Sequence, residues 1–285
     1  MLNIPRFLCL LVFLIISLMP GFSHGFDEPI SFEHIRIDQM ETEIKVIELF
    51  TSTDCTFCPK ADMVIQKINQ DKRDILALSC HVDYYGMDSE GFALEFCSER
   101  QLNYAMRIGR GETYTPQAVI NGTVDVAGHK QDEVLGTFAK LENESRISPV
   151  RIERRDTKPV FNVTIADNAL NTETMELKLI GYKTYEFNGP KKRTLTNVIE
   201  FAADITDAFK NSDGSFVIDI EEFVPEDIMQ TDDKRPGFGG QVPLDGFAVL
   251  GNDTETMEIV AAGKHNLHIR LQDIMPAGGE SRSEE

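Results

Sequence analysis

The chain has 285 residues, with 28 Lys+Arg against 47 Asp+Glu and a formal charge of −19. That balance excludes nucleic acid and anionic membrane surfaces as partners, because both recruit a basic face that releases or replaces counterions. Apolar content of 41% and charged content of 26% are globular values, and the length suits two domains better than one core. Five cysteines are too few for a disulfide-stapled miniature scaffold, so they point to local chemistry, a structural bridge or a metal site.

Residues 1–25 read as a cleaved secretory signal. Arg6 is the one cation of the n-region, and Phe7 to Met19 form an apolar run too short to span a bilayer. Small residues Ser23 and Gly25 precede a cut at Phe26. Removing this segment takes away one Arg and no acid, leaving a charge of −20 and four cysteines: Cys55, Cys58, Cys80 and Cys97. No later stretch is long enough to span a membrane, so the expected location is periplasmic or secreted, where disulfides persist.

Residues 26–43 form a lead-in. A short β-rich run at Ile44–Thr51 leads through a turn into a helix, whose Ala61, Val64, Ile65 and Ile68 form one apolar stripe. Asp74–Asp83 is a second, nearly continuous apolar strand, of the kind covered on both faces in a parallel sheet. Phe92–Ile108 has helical periodicity. Gln117–Gly122 and Thr123–Ala127 read as two strands of a hairpin turning at Asn121-Gly122, and Lys130–Arg146 reads as a closing helix. Residues 44–147 therefore make a β-α-β-α-β-β-α domain. After Ser148-Pro149 the pattern becomes alternating: Phe161, Val163, Ile165, then Met175, Leu177, Leu179, and later Phe216, Ile218, Ile220. Turn signals at Asn188-Gly189-Pro190, Asp213-Gly214 and Gly251–Thr254 separate the strands. Residues 148–275 are expected to form a mostly antiparallel β, sandwich-like domain. Asp227–Pro243 is expected as a loop, and 276–285 as a disordered tail.

Cys55-Thr56-Phe57-Cys58 falls where the first strand gives way to the first helix. Cysteines three apart at a helix start are close enough to bridge, and the helix amides and dipole stabilise a thiolate at the first of them. Cys55 is expected to be the exposed attacking thiol, with Cys58 resolving one turn inward. Asp54 and Lys60 act on Cys55 in opposite directions. The βαβ context is the one that thioredoxin-like motifs require, and Thr115-Pro116 stands where that fold uses a cis proline. His81 and Asp83, two apart on a strand, are candidates for proton transfer or site support. The alternative for them is a core pair and a strand-end Asp. Cys80 and Cys97 enclose a loop whose closure by a structural disulfide is worth about 3 kcal/mol, and the rival reading is a relay pair. A zinc site from Cys55, Cys58, Cys80 and His81 is disfavoured, because adjacent strand residues point to opposite faces.

The segments VIELFTSTDCTFCPKAD (Val46–Asp62), HVDYYG (His81–Gly86), RQLNYA (Arg100–Ala105) and YTPQAVING (Tyr114–Gly122) resemble the secreted bacterial thioredoxin-like family filed as domain of unknown function 1223. The resemblance implies a thioredoxin fold and an exported location. It carries the CxxC over to Cys55 and Cys58, the cis proline to Pro116, and the His-Val-Asp-Tyr element to His81, Asp83 and Tyr84. Tyr85 stands where the family often has Trp, and Cys80 and Cys97 look like additions. The expected function is thiol–disulfide exchange, with a redox-active disulfide and no other cofactor, acting on protein thiols or disulfides with a redox partner protein. The alternatives are a binding scaffold with an inert bridge, or metal delivery through the CxxC.

Overall fold

Two neighbouring strands, buried almost throughout, organise the first half of the structure, a computed structural model that describes residues 44–86, 91–141, 146–155, 158–165, 170–187, 192–229 and 244–267. They are β1 (Lys45–Thr51) and β2 (Ile75–His81), parallel and in register, with Thr51 opposite His81. Their alternating side chains enter two different cores. Ile47, Leu49, Ile75 and Ala77 pack under α1 (Cys58–Asp71) and α3 (Gln131–Leu141), whereas Val46, Phe50, Leu76, Leu78 and Cys80 join Cys97 and Tyr104 of α2 (Glu95–Arg107). Covering both faces buries both strands almost throughout, including the polar side chains of Glu48, Thr51, Ser79 and His81.

The stripe of Ala61, Val64, Ile65 and Ile68 turns α1 onto the sheet. Pro59 sits in its first turn, where a missing N–H costs no bond. β3 (Gln117–Ile120) runs antiparallel to β1 and pairs with β4 (Val124–Ala127). Asn121 and Gly122 take the positive φ values of 51° and 72° that a tight hairpin turn requires.

The sheet does not break near residue 148, where the sequence changes texture. Ser79 of β2 pairs in parallel with Val198 of β8 (Arg193–Asp204), and the order is β4-β3-β1-β2-β8-β7-β10-β11-β5-β6-β9. The remaining strands are β5 (Ser148–Arg154), β6 (Val160–Ile165), β7 (Met175–Phe187), β9 (Ser215–Asp219), β10 (Gly246–Asp253) and β11 (Ile259–Asn266). Side chains from β5, β6 and β9, including Val150, Phe161, Val163 and Ile218, cluster with Leu177, Leu179, Phe247 and Val249 of β7 and β10. Two short helices complete this half, α4 (Thr206–Lys210) and α5 (Glu226–Met229).

Three expectations change here. Ile220 is not on a strand: the Asp219 side chain accepts the Glu221 N–H at 3.1 Å and starts a 3-10 turn. Gly251–Asp253 is not a turn but the end of β10. The chain reverses after Asp253, whose carboxylate accepts the N–H groups of Glu255 and Thr256, each at 2.9 Å. Asp227 lies in α5 rather than in a loop. The signal segment, the lead-in, the Asn188-Gly189-Pro190 turn, residues 230–243 and the tail lie outside the described residues.

Candidate functional site

β1 ends at Thr51, and the chain turns through Ser52–Phe57 before α1 begins at Cys58. Cys55 is bonded to Cys58, with Cα atoms 5.3 Å apart. Cys55 therefore lies ahead of the helix and Cys58 at its first position, so the positive end of the helix dipole faces the pair. Cys55 is 4% exposed and Cys58 is fully buried. The expectation of an exposed Cys55 is not met: in the bonded pair its side chain is shielded almost as fully as that of Cys58. Phe57 between them is 57% exposed and stacks on His129, ring centroids 5.4 Å apart.

The Thr115–Pro116 peptide bond is cis. Gly128, whose N–H donates to the Pro116 carbonyl at 3.0 Å, brings this loop to the helix. A Cβ added at Gly128 would lie 3.3 Å from Ala61 of α1 and 3.5 Å from Pro116. Thr53 Oγ1, Thr115 Oγ1 and His129 Nδ1 are buried atoms without a hydrogen-bond partner among the described residues. The loops around the disulfide thus hold hydrogen-bonding capacity that the fold does not use.

Behind the pair lies a residue that the sequence reading passed over. Asp62, one helical turn beyond Cys58, is buried on the sheet-facing side of α1. Thr51 Oγ1 donates to its carboxylate at 3.4 Å. Burial pushes the Asp62 carboxyl up to about 7, with the Thr51 hydrogen bond and the Arg193 charge opposing the rise. The signal was available: Asp62 is the one acid among the buried positions of an apolar helix face.

His81 is buried at the end of β2, on the same sheet face as its register neighbour Thr51, and its ring lies 5.4 Å from Phe92. Asp83 does not share that strand face. β2 stops at His81, Val82 donates its N–H back to Thr51, and Asp83 lies in the exposed turn beyond. Its N–H donates to Ser98 Oγ at 3.0 Å, and Ser98 Oγ donates to its carboxylate. The structure sets His81 in register with Thr51, and ties Asp83 to Ser98 of α2 instead.

Cys80 and Cys97 are bonded, with Cα atoms 5.3 Å apart, and both are fully buried among Val46, Phe50, Leu76 and Tyr104. Among the described residues, the four cysteines are all committed to these two bonds. Cys80 and His81 point to opposite faces of β2, as alternation requires.

The segment Asp83–Gly86 folds against the turn that carries Cys55. Ser52 Oγ donates to the Tyr85 carbonyl at 2.8 Å and accepts the Asp54 N–H at 3.2 Å. Gly86 has φ +85°, and a Cβ there would collide with the Asp54 side chain. Only glycine fits both the conformation and the approach.

Among solved structures, a crystallographically determined protein from Agrobacterium tumefaciens is similar at 24% identity and a TM-score of 0.57, covering 79% of this chain and 94% of that one. No curated protein matches the chain significantly. The profile of the family described as protein of unknown function (DUF1223) matches residues 46–191, just over half of the sequence, and the chain belongs to this family.

Proposed function

We propose that the protein is an exported thiol–disulfide oxidoreductase, in which β1 to α3 form a thioredoxin-like unit. The observation that carries this reading is the Cys55–Cys58 bond at the junction of β1 and α1, beside the loop of cis Pro116. A partner thiolate attacks Cys55 Sγ, the Cys55–Cys58 bond breaks, and Cys58 leaves as a thiolate. A second partner thiolate then attacks the mixed disulfide, so the partner gains a disulfide and the protein gains two thiols. The reverse sequence reduces a partner disulfide. Asp62 stands one turn from Cys58 with a carboxyl that titrates at about 7, suited to give a proton to the departing Cys58 and take it back. Two disulfides in one chain support a periplasmic or secreted location.

One observation favours a second reading. Cys55 is 4% exposed, as an inert structural bridge would be, and a binding scaffold needs no more. Reaction of the reduced protein with a disulfide-bonded peptide separates the two. Under the exchange reading, Cys58→Ala accumulates a mixed disulfide through Cys55, and Cys55→Ala accumulates none. A reduced wild type inert to both the peptide and a small disulfide reagent would overturn the exchange reading in favour of the scaffold.

A further inference from the structure

Gln101, in the middle of α2, is fully buried, and its carboxamide reaches both loops that flank the disulfide. Its Oε1 accepts the Tyr84 hydroxyl proton at 2.8 Å. Its Nε2 donates to the Tyr114 carbonyl at 2.8 Å and to Gln117 Oε1 at 2.7 Å. Gln117 directly follows cis Pro116, and its Nε2 donates onward to Asp125 Oδ2 at 3.0 Å. Tyr114 also donates its hydroxyl to Asp125 at 2.7 Å, and Arg110 donates to the same carboxylate through Nε at 2.7 Å.

This chain has a direction. An ionised carboxylate accepts only, so Asp125 orients the Gln117 amide with its NH2 toward β4. Gln117 must then offer its oxygen to Gln101, and Gln101 must offer its own oxygen to Tyr84. The Tyr84 hydroxyl is left as the donor at the far end. Its neighbour Tyr85 is bonded through its carbonyl to Ser52, which holds the amide next to Cys55. One polarised line therefore runs from the turn before Cys55, through the Tyr84–Tyr85 segment and Gln101, to the loop of Thr115 and Pro116.

We propose that Gln101 is a positioning residue that fixes the separation of these two loops and so defines the seat for a polypeptide partner at Cys55. This rests on the exchange reading. A small disulfide needs only the Cys55 sulfur, whereas a partner chain must lie between the Tyr84–Tyr85 loop and the Thr115–Pro116 loop. The Tyr84 ring is 46% exposed, so removing its hydroxyl leaves the core intact.

The test measures exchange of the reduced protein with a disulfide-bonded decapeptide and with a small disulfide reagent, in wild type, Tyr84→Phe and Gln101→Glu. The ratio of peptide rate to reagent rate falls about fivefold in Tyr84→Phe, for one lost partly buried hydrogen bond, through KM rather than kcat. It falls further in Gln101→Glu, where an acceptor replaces the donor facing two oxygens. A ratio unchanged in both variants overturns the proposal, as does an equal fall with both substrates. A wild type inert to both substrates overturns the exchange reading, and this inference with it.

Discussion

Glu48 and Arg100 form a two-point ion pair in the interior, with Arg100 Nε 2.5 Å from Glu48 Oε1 and Nη2 2.9 Å from Oε2. Tyr104 donates its hydroxyl to the same Glu48, and Arg100 also donates to Asn252 Oδ1 of β10 at 3.0 Å. Strand β1, helix α2 and strand β10 are thereby locked at one point. Such a pair gains little over an apolar replacement, but breaking it strands a buried charge. Arg100→Met is expected to cost about 3–5 kcal/mol in chemical denaturation. The double variant Glu48→Leu/Arg100→Met recovers most of that loss. A single-variant cost near zero would contradict the burial argument.

Asp62→Asn has a predicted sign at each pH. The folded carboxyl titrates at about 7, above its ordinary value of 3.8, so between those values the native state holds a proton that the unfolded state has released. Stability therefore falls as pH rises through that window, by up to about 1.4 kcal/mol per unit. Asparagine removes this slope, so the variant gains on wild type at pH 8 and gains nothing at pH 4. Unfolding midpoints across pH would show it, and parallel curves would refute it. In exchange assays, the same substitution removes the inflection near pH 7 from the resolving step by Cys58.

Acid acts on Asp125 in the opposite direction. Burial alone would raise its carboxyl, but hydrogen bonds from Tyr114, Gln117 and Arg110 outweigh it and hold the group below its ordinary value. Its contribution is present above the unfolded value of about 3.9 and is lost as pH falls through the lower folded one. Asp125→Asn should flatten the acid limb of the stability curve and lower the midpoint at pH 7. A midpoint unchanged at neutral pH would mean that the carboxylate carries none of this load.

The second disulfide is a test of structure without chemistry. Cys80→Ala/Cys97→Ala is predicted to lower stability by about 3 kcal/mol, the loop-closure value, with some further loss from packing. The rate of Cys55 with a small disulfide reagent stays at the wild-type value. A slowed reaction would instead make the buried pair a participant in electron transfer.

Local patterning made much of this molecule readable. The apolar runs of β1 and β2, the stripe on α1 and the Asn121-Gly122 turn each announce themselves within a few residues, because burial and backbone geometry act at short range. The pairing of β2 with β8 was not readable in this way. Ser79 and Val198 carry no mutual signal, and their contact is a consequence of global topology. Of the two readings of Asp83, the shared face with His81 fails because alternation presumes that a strand continues, and β2 stops two residues earlier. Gln101 escaped notice since a glutamine on a helix looks like a solvated position until its three partners are brought around it.

The join between β2 and β8 also bears on how this protein can be handled. Besides the Ser79–Val198 pairing, Ser79 Oγ donates to the Thr196 carbonyl and Asn197 donates to the Ala77 carbonyl, each at 2.9 Å. A fragment ending at residue 147 would carry the cysteines but leave β2, buried along its entire length, with a naked flank. Bare apolar edges recruit one another into aggregates. The Cys55–Cys58 motif is therefore not a portable cassette: the strand that covers its sheet is supplied more than a hundred residues downstream.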